Sequence, residues 1–463
     1  MALQKEKTPM RNQEANVRNK NFKEVPLGYN IDEAKNEASR CLQCPNKPCV
    51  DACPVEVPIP EFIKAINNDN LEEAVDIIKS KNNLPAICGR VCPQESQCEE
   101  VCIMAKKNEA VAIGRLERFV GDYALNKIQE NIDNNKSKKR KEKVAVVGAG
   151  PAGLTAAADL ARAGFNVTLF EALHDTGGVL RYGIPEFRLP KKIVDQEVEN
   201  IKKLGVEIQL NVIVGKTISI DELFTDNYQA IFIGTGAGLP RLMDIPGKNL
   251  NGVYSANEFL TRVNLMKAYK YPEYETPVKI GKKVAVIGGG NVAMDSARTA
   301  LRLGADKVYV IYRRTEDQMP ARNEEIEHAK EEGVIFKELN NPIAFHGNEG
   351  RIKKMECLKM SLGEKDKSGR PRPVPIENSN WMLEVDSVII AIGQSPNPLL
   401  TANTNELKTQ AWGGIIVNDD LSTSIDGVFA GGDTVTGAAT VIKAMGAGKQ
   451  AAKAMIEYIE EKE

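Results

Sequence analysis

Eight of the nine cysteines in this sequence lie between residues 41 and 102, in two closely spaced sets. The first set is CLQCPNKPCVDACP, spaced C-x2-C-x4-C-x3-C-P, and the second is CGRVCPQESQCEEVC, spaced C-x3-C-P-x4-C-x3-C. Thiols concentrated in this way in a long chain favour metal binding by reduced cysteines over disulfides. Zinc sites commonly use two close pairs separated by a longer loop, whereas a proline after the closing cysteine is typical of bacterial iron–sulfur proteins. The sets predict metal centres, with clusters and zinc as the alternatives.

A glycine-rich turn follows in KVAVVGAGPAGLTAAADLARAGFNVTLFE, which predicts a buried strand, a turn, a helix and a second strand. In such a turn the first glycine permits the tight bend, the second admits a pyrophosphate and the third lets helix and strand pack closely. An acid at the end of the second strand accepts hydrogen bonds from a ribose. The candidate dinucleotide-binding residues are Gly148, Gly150, Pro151, Ala152, Gly153 and Glu171.

The stretch KVAVIGGGNVAMDSARTALRLGADKVYVIYRR repeats this plan about 140 residues later and predicts a second dinucleotide site. Two arginines stand where the first unit has its acid, and a guanidinium pairs with the 2′-phosphate that a carboxylate would repel. The second site is therefore predicted to prefer NADP(H), the alternative being that both arginines are surface charges. Its candidate residues are Gly288, Gly290, Asn291, Val292, Ala293, Arg313 and Arg314.

Two dinucleotides bound by one chain usually mean a flavin and a nicotinamide that exchange hydride. The segments IFIGTGAG (231–238) and VIIAIGQSPN (388–397) predict strands returning to the first nucleotide domain. The stretch VFAGGDTVTGAATVIKAMGAGKQAA (428–452) predicts a strand and a helix whose start suits a flavin. The candidate cofactor-binding residues in these segments are Thr235, Gly236, Gly393, Gly432, Asp433, Thr440 and Val441.

The domain organisation follows from the length of 463 residues, which suggests about three domains. We predict an α+β multidomain fold, with a helical metal-binding domain followed by two doubly wound α/β nucleotide-binding domains. The predicted ranges are 1–140 for the helical domain, 141–255 and 391–463 for the two parts of the FAD domain, and 256–390 for an inserted NADP domain. The basic stretch at 134–143 is interpreted as a solvated linker rather than a nucleic-acid-binding tail.

Composition excludes several classes of protein. The formal net charge of −2 argues against nucleic acid or a membrane surface as the main partner. No apolar run reaches the roughly 18 residues of a membrane span, and the start of the chain lacks the apolar stretch of a signal peptide. Together with the reduced thiols, this predicts a cytoplasmic protein.

Because a flavin site lies downstream, two [4Fe–4S] clusters make better chemical sense than zinc for the eight cysteines.

Motifs along nearly the whole chain resemble one family. They are the two cysteine sets, GAGPAGL, GGVLRYGIPEFRLPK, GGGNVAMD, YRRTEDQMPAR and AGGDTVTG. The chain resembles the small, or β, subunit of NADPH-dependent glutamate synthase, and is similarly close to the large subunit of the electron-bifurcating NADH-dependent reduced ferredoxin:NADP oxidoreductase. Its N-terminal half also resembles the electron-entry part of dihydropyrimidine dehydrogenase. The resemblance implies that the flavin is wrapped by Gly177, Gly178, Arg181, Gly183, Ile184 and Arg188.

The resemblance also implies how the cluster ligands are divided. One [4Fe–4S] cluster would use Cys41, Cys44, Cys49 and Cys102, and the other would use Cys53, Cys92, Cys98 and the carboxylate of Glu117. Cys88 is the alternative to Glu117 as the eighth ligand. A carboxylate ligand would shift the potential of that cluster.

The predicted function is an NADPH-dependent oxidoreductase of the glutamate synthase type. FAD would accept hydride from NADPH, and the two clusters would relay single electrons to a partner. No catalytic acid, base or nucleophile is predicted. The partner would be the glutamate synthase large subunit or, for the bifurcating alternative, a small flavoprotein subunit with ferredoxin. A redox sensor that binds NADP(H) without turnover is the remaining alternative.

Overall fold

The computed structural model of this chain describes residues 4–127, 140–366 and 369–462. Residues 134–139 of the predicted linker lie outside these ranges. Five short 3-10 helices occur in the described ranges: Gln94–Ser96, Ile103–Lys106, Ala268–Lys270, Glu316–Gln318 and Thr401–Asn403.

The N-terminal region is helical, as predicted. A capping box begins the second of its helices: Asn30 Oδ1 accepts from the Glu33 N–H (2.9 Å), and Glu33 Oε2 accepts from the Asn30 N–H (2.7 Å). Glycine lets the last two helices of this region pack closely, since a Cβ on Gly89 would lie 2.4 Å from the backbone nitrogen of Arg118. The helices are α1 (Ala15–Arg18), α2 (Ile31–Ala38), α3 (Pro48–Asp51), α4 (Ile59–Asn67), α5 (Leu71–Lys79), α6 (Pro85–Val91) and α7 (Ile113–Lys127).

The first nucleotide domain begins with a buried strand, as its apolar run predicts. Its elements are β1 (Lys143–Val147), α8 (Pro151–Arg162), β2 (Asn166–Phe170), α9 (Val179–Tyr182), α10 (Lys191–Lys203), β3 (Glu207–Gln209), α11 (Ile220–Thr225), β4 (Tyr228–Ile233) and β5 (Leu239–Pro240).

The second nucleotide domain repeats the strand–turn–helix plan and adds antiparallel strands. Its elements are β6 (Val253–Ser255), α12 (Ala256–Asn264), β7 (Lys283–Ile287), α13 (Asn291–Arg302), β8 (Lys307–Tyr312), α14 (Asn323–Glu331), β9 (Ile335–Glu338), β10 (Asn340–Asn348), β11 (Arg351–Lys365), β12 (Pro371–Pro375), β13 (Trp381–Glu384) and β14 (Ser387–Ile390).

The chain then returns to the first domain through β15 (Gln394–Ser395), β16 (Val428–Ala430), α15 (Asp433–Thr436) and α16 (Val441–Glu460). The first sheet has the order β16-β4-β1-β2-β3 and the second has the order β6-β14-β7-β8-β9, with all the paired strands of both sheets parallel. Strands β5 and β15 pair antiparallel where the chain crosses between the sheets. The predicted α+β fold class is confirmed.

Two segments lie in a different sheet from the one predicted. The strand within 388–397 is predicted to return to the first domain, but β14 pairs with β6 and β7 in the second sheet, in agreement with the predicted NADP-domain range of 256–390. Residues 253–255 were assigned to the first domain, but they form β6 of the second sheet. A short apolar strand fits either parallel sheet equally well, because both sheets bury such strands on two faces. Strand β4, from IFIGTGAG, does lie beside β1 as predicted.

Candidate functional site

The first glycine turn, residues 148–153, has the geometry of a pyrophosphate cradle. Gly148 has a φ of +102°, and a Cβ on Gly153 would lie 1.8 Å from the Gly148 carbonyl oxygen. A Cβ on Gly150 would meet nothing within 4 Å, so this position faces open space at the start of α8. Backbone that is tight on its inner side and open at the helix N-terminus fits a dinucleotide pyrophosphate.

Glu171 is fixed beside this turn. Its carboxylate accepts hydrogen bonds from the backbone N–H groups of Ala149 (2.7 Å) and Leu173 (2.8 Å). Burial raises the pKa of Glu171, and these backbone hydrogen bonds oppose the rise. The carboxyl group is therefore held at the end of β2, where a ribose-binding acid is expected.

The flavin-side loop, residues 177–191, reaches the first glycine turn with its glycines. The Gly177 N–H donates to the Ala149 carbonyl (2.9 Å), and a Cβ on Gly178 would lie 2.9 Å from the Gly150 Cα. Further along the loop, Gly183 and Ile184 turn the chain back through hydrogen bonds to the Val179 carbonyl. Of the glycines predicted to wrap the flavin, Gly177 and Gly178 thus lie against the first glycine turn.

The two predicted flavin-contacting arginines make other contacts. Arg181 forms ion pairs with Asp175 (3.1 Å) and Asp195. Arg188 directs its guanidinium to Asp295 and Glu325 of the second domain, with 2.9 Å to each residue. Both guanidinium groups are held by carboxylates, and no signal in the local sequence shows which carboxylates come near.

The C-terminal segments close the first site. The hydroxyls of Thr235 and Thr434 lie 3.2 Å apart, which joins the end of β4 to α15. Asp433 accepts a hydrogen bond from the Ala439 N–H (3.1 Å), and burial raises its pKa to about 6. Thr440 caps α16, which begins at Val441.

Three predicted glycines of this region have positive φ angles. The values are +69° for Gly236, +75° for Gly432 and +114° for Gly393. The Gly393 carbonyl accepts from the Arg241 N–H (3.0 Å), so this glycine lies in the crossover between the sheets.

The second glycine turn, residues 288–293, repeats the cradle. Gly288 has a φ of +143°, and a Cβ there would lie 2.3 Å from the Ala391 carbonyl oxygen. Asn291 Oδ1 accepts from the Arg322 N–H (2.9 Å), which ties the start of α13 to the chain before α14. Val292 is exposed and Ala293 is fully buried, so the alanine at the third position is accommodated between the helix and the strand.

The two arginines after β8 point to different surroundings. Arg313 is exposed at the end of the strand. Arg314 is buried, and its guanidinium donates to the Pro371 carbonyl (2.8 Å) and the Asp366 carboxylate (2.9 Å). Only Arg313 thus remains open to the surface in the way that a 2′-phosphate ligand requires.

Four cysteines form what we call the first cysteine group: Cys41, Cys44, Cys49 and Cys102. Burial raises the pKa of Cys49 to about 12, and the charges of the other three members add to the rise. Burial likewise raises the pKa of Cys41, with contributions from Cys102 and Cys44. All four side chains are partly exposed. The fold therefore gathers three thiols of the first set and the last thiol of the second set.

The second cysteine group consists of Cys53, Cys88, Cys92 and Cys98 with Glu117. Burial raises the pKa of Cys53 to about 11, with Glu117 and Cys88 as charged neighbours. A hydrogen bond with Cys88 is the largest cause that raises the pKa of Cys92, ahead of burial. Burial raises the pKa of Glu117 to about 7, although its Oε1 accepts from Asn82 Nδ2 (2.7 Å). Both candidates for the eighth ligand lie in this group.

One feature of this region was missed at the level of sequence, namely the contact of α16 with the cysteines. Cys88 Sγ lies 3.5 Å from Met445 Sδ, and a Cβ on Gly446 would lie 2.6 Å from the Pro54 carbonyl oxygen. The glycines of MGAG in α16 are the available signal, because small residues inside a helix often mark a close approach.

Among the described residues, no three His, Cys, Asp or Glu side chains are placed to hold a single metal ion.

The comparisons with known families agree with this arrangement. Residues 142–448 match the pyridine nucleotide-disulphide oxidoreductase family, and residues 18–129 match dihydropyrimidine dehydrogenase domain II, a 4Fe-4S cluster domain. In the described ranges no helix is long and apolar enough to cross a membrane. The class is thus a pyridine-nucleotide oxidoreductase preceded by an iron–sulfur domain.

Individual relatives narrow this class. The glutamate synthase [NADPH] small chains of Azospirillum brasilense and Escherichia coli are 36% and 34% identical over 96% of this chain, and it covers 93% and 95% of them. The NADP(+)-dependent formate dehydrogenase subunit beta of Moorella thermoacetica is 41% identical over 89% of this chain, which spans only 60% of that relative. The chain belongs to the family of the glutamate synthase small chain.

Solved structures support the fold alone. FprA from Mycobacterium tuberculosis in complex with NADPH has a TM-score of 0.57 at 20% identity, covering 70% of this chain and 85% of that chain. Lactococcus lactis thioredoxin reductase has a TM-score of 0.52 at 24% identity, covering 69% of this chain and 100% of that one. With the family matches, the predicted NADPH-, FAD- and iron–sulfur-dependent electron-transfer oxidoreductase is confirmed, and the bifurcating alternative is not favoured.

Proposed function

We propose that this chain is the electron-input subunit of an NADPH-dependent glutamate synthase in the cytoplasm. FAD supplies a two-electron acceptor for the hydride of NADPH, and two [4Fe–4S] clusters supply one-electron carriers. The observation that carries the proposal is the course of α16. This helix begins beside Asp433 and Thr440 at the first nucleotide site and contacts Cys88 through Met445 in its first turns. One rigid element thus links the flavin site to the cysteines.

The chain's own residues bind and orient the nucleotides. The first glycine turn presents backbone N–H groups to a pyrophosphate, and Glu171 offers its carboxylate to a ribose. The second glycine turn presents its backbone N–H groups to the pyrophosphate of NADPH. The exposed guanidinium of Arg313 is the candidate partner of the 2′-phosphate. Precise placement of the reacting atoms is what these residues contribute to the rate.

The two cysteine groups support the two implied ligand sets, and the second group also contains Cys88. The first group is proposed to hold one cluster, and Cys53, Cys92, Cys98 and Glu117 are proposed to hold the other. The exposed apolar side chains of Leu42 and Val101 flank the first group in sequence. We therefore expect the large partner subunit to receive electrons at the first group, because that group is the less buried of the two.

A second candidate function is electron input to a different partner. It is favoured by the 41% identity to the beta subunit of the formate dehydrogenase, which exceeds the identity to the glutamate synthase small chains. In that case the same residues would bind the cofactors, but the electrons would pass to a partner other than the glutamate synthase large subunit. No glutamate would then be formed.

The test is anaerobic purification of the chain, followed by titration with NADPH and with NADH. About eight irons and one FAD per chain, with flavin bleaching at lower NADPH than NADH concentration, would support the electron-transfer part. Addition of a glutamate synthase large subunit should then give glutamate from glutamine and 2-oxoglutarate. Electron transfer without glutamate formation would select the second candidate, and zinc in place of iron would overturn both.

A further inference from the structure

Arg188 of the flavin-side loop is bound by the second nucleotide domain. Its Nη1 donates to both carboxylate oxygens of Asp295 at 2.9 Å, and its Nε lies 2.9 Å from Glu325 Oε1. The three side chains are each 7% exposed or less. A buried guanidinium shared by two buried carboxylates is costly to break, because the partners left behind are unpaired charges.

Asp295 lies in α13, five residues after Gly290 of the second glycine turn. A contact that fixes the Asp295 carboxylate therefore also fixes the N-terminal end of α13, next to the second glycine turn. Glu325 lies in α14 of the same domain and also forms an ion pair with Arg298 of α13. Arg188 thus joins a network built mainly within the second domain, to which Arg18 of α1 also contributes through Glu332.

The same loop is held by the second domain at other points. The Phe187 ring lies under the guanidinium groups of Arg298 and Arg302 of α13, 4.8 and 3.8 Å from its centroid. Asn264 Nδ2 of α12 donates to the carbonyls of Tyr182 (3.2 Å) and Gly183 (3.3 Å). Since Gly177 and Gly178 of this loop contact the first glycine turn, one loop joins that turn to helices α12 and α13 of the second domain.

We propose that Arg188 is a positioning residue for hydride transfer, which fixes helix α13 and the second glycine turn against the flavin-side loop. The inference rests on the proposed transfer between NADPH and FAD. An error of about 1 Å in such an arrangement costs roughly 100-fold in rate. The forked, planar guanidinium can hold two carboxylates in a set geometry, which a lysine ammonium cannot do in the same way.

The experiment compares Arg188→Met, Arg188→Lys and Asp295→Asn with the wild-type holoprotein. Stopped-flow absorbance gives the rate of flavin reduction by NADPH, and equilibrium titration gives the dissociation constant of NADP+. Hydrogen exchange of residues 291–302 is the readout that does not depend on activity. Reduction by dithionite, which needs no nicotinamide, serves as the internal reference.

Arg188→Met is expected to slow reduction by NADPH about 10- to 100-fold, and Arg188→Lys is expected to restore part of that rate. We also expect the NADP+ dissociation constant to stay within about threefold, because the turn itself is intact. Exchange in 291–302 should rise, and reduction by dithionite should be unchanged. Arg40→Met is the matched control, because it breaks a fully buried ion pair with Glu37 of α2, and the other hydrogen bonds of Arg40 go to backbone carbonyls of the N-terminal region. It should lower the melting temperature without slowing reduction.

An unchanged rate and unchanged exchange in Arg188→Met would overturn the proposal, as would equal slowing by Arg40→Met. If Arg188→Met does not fold, Asp295→Asn decides the question, because it keeps the side-chain shape and removes one partner charge. A wild-type protein whose flavin NADPH cannot reduce would instead refute the proposed function, and exchange in the variants would still report on the contact.

Discussion

The Sγ atom of Cys88 lies 3.5 Å from the Sδ atom of Met445 and 3.7 Å from Asn82 Oδ1. The same Asn82 donates its Nδ2 to Glu117 Oε1 (2.7 Å). One amide side chain thus bridges the two candidates for the eighth cluster ligand. The Cys88 thiol packs against a thioether of α16, which suits a small apolar group, whereas the Glu117 carboxylate is buried with an amide as its hydrogen-bond donor.

This difference predicts the outcome of removing each candidate. Glu117→Ala is expected to lower the iron content from about eight towards about four atoms per chain. Cys88→Ala should keep the full iron content, because the four proposed ligands of the second cluster all remain. Iron analysis and EPR of the dithionite-reduced proteins check both. The reverse result would make Cys88 the ligand.

The second prediction separates the two arginines after β8. Arg313→Ala should raise the KM for NADPH about 10- to 100-fold, through the loss of charged hydrogen bonds worth about 1.5–3 kcal/mol. The KM for NADH should be unchanged, since NADH has no 2′-phosphate. Steady-state kinetics with both nucleotides and a dye acceptor measure the ratio.

Arg314→Ala is the matched variant for this measurement. It should lower the free energy of unfolding by about 1–3 kcal/mol, because the buried hydrogen bonds from the guanidinium to Asp366 and to the Pro371 carbonyl are lost. Its NADPH-to-NADH preference should stay near that of the wild type. A loss of preference confined to Arg314→Ala would show that Arg314 turns towards the phosphate.

The third prediction is that the free energy of unfolding depends on pH through the buried carboxyl group of Glu197. Burial raises the pKa of this carboxyl to about 7, and its Oε1 accepts from the Ala86 N–H (3.1 Å) at the start of α6. Its folded pKa lies above the unfolded value, so the unfolded state binds fewer protons between about pH 4.5 and 7. Glu197 therefore costs stability progressively as the pH rises through this window.

The variant Glu197→Gln keeps a hydrogen-bond acceptor and cannot ionise. It should match the wild type near pH 5 and be more stable by about 1–3 kcal/mol at pH 8. Anaerobic thermal unfolding at both pH values measures this. A stability difference that is the same at pH 5 and pH 8 would contradict the assignment.

The fourth prediction concerns the packing of α16 on α8. A Cβ on Gly448 would lie 2.2 Å from the Ala152 carbonyl oxygen, in the first glycine turn. Gly448→Val should lower stability by about 1–3 kcal/mol through overpacking and should reduce the FAD retained on purification. Lys453→Val, at an exposed position of the same helix, is the control for helix propensity. Equal FAD content in both variants would contradict this prediction.

Residues with a fixed backbone requirement were the most predictable from sequence. The bends at Gly148 and Gly288 follow from glycine's access to positive φ, and both turns lie where the motifs indicated. Arg188 and Arg314 were not predictable in the same way. Their partners lie far along the chain, at Asp295 and Asp366, and a charge pattern does not reveal long-range pairing. Strand β14 was misassigned because an apolar run carries no information about which sheet it joins.

The paired crossover strands β5 and β15 enclose the second domain as one continuous insertion. Strand β16 and helix α16 follow that insertion in the chain, although both belong to the first sheet's domain. During synthesis, the ribosome must therefore complete the entire second domain before the first can close around its dinucleotide, since domains fold in the order in which they emerge. Flavin capture is consequently a late event in biosynthesis, and a nascent chain stalled before β16 would expose an unfinished sheet edge.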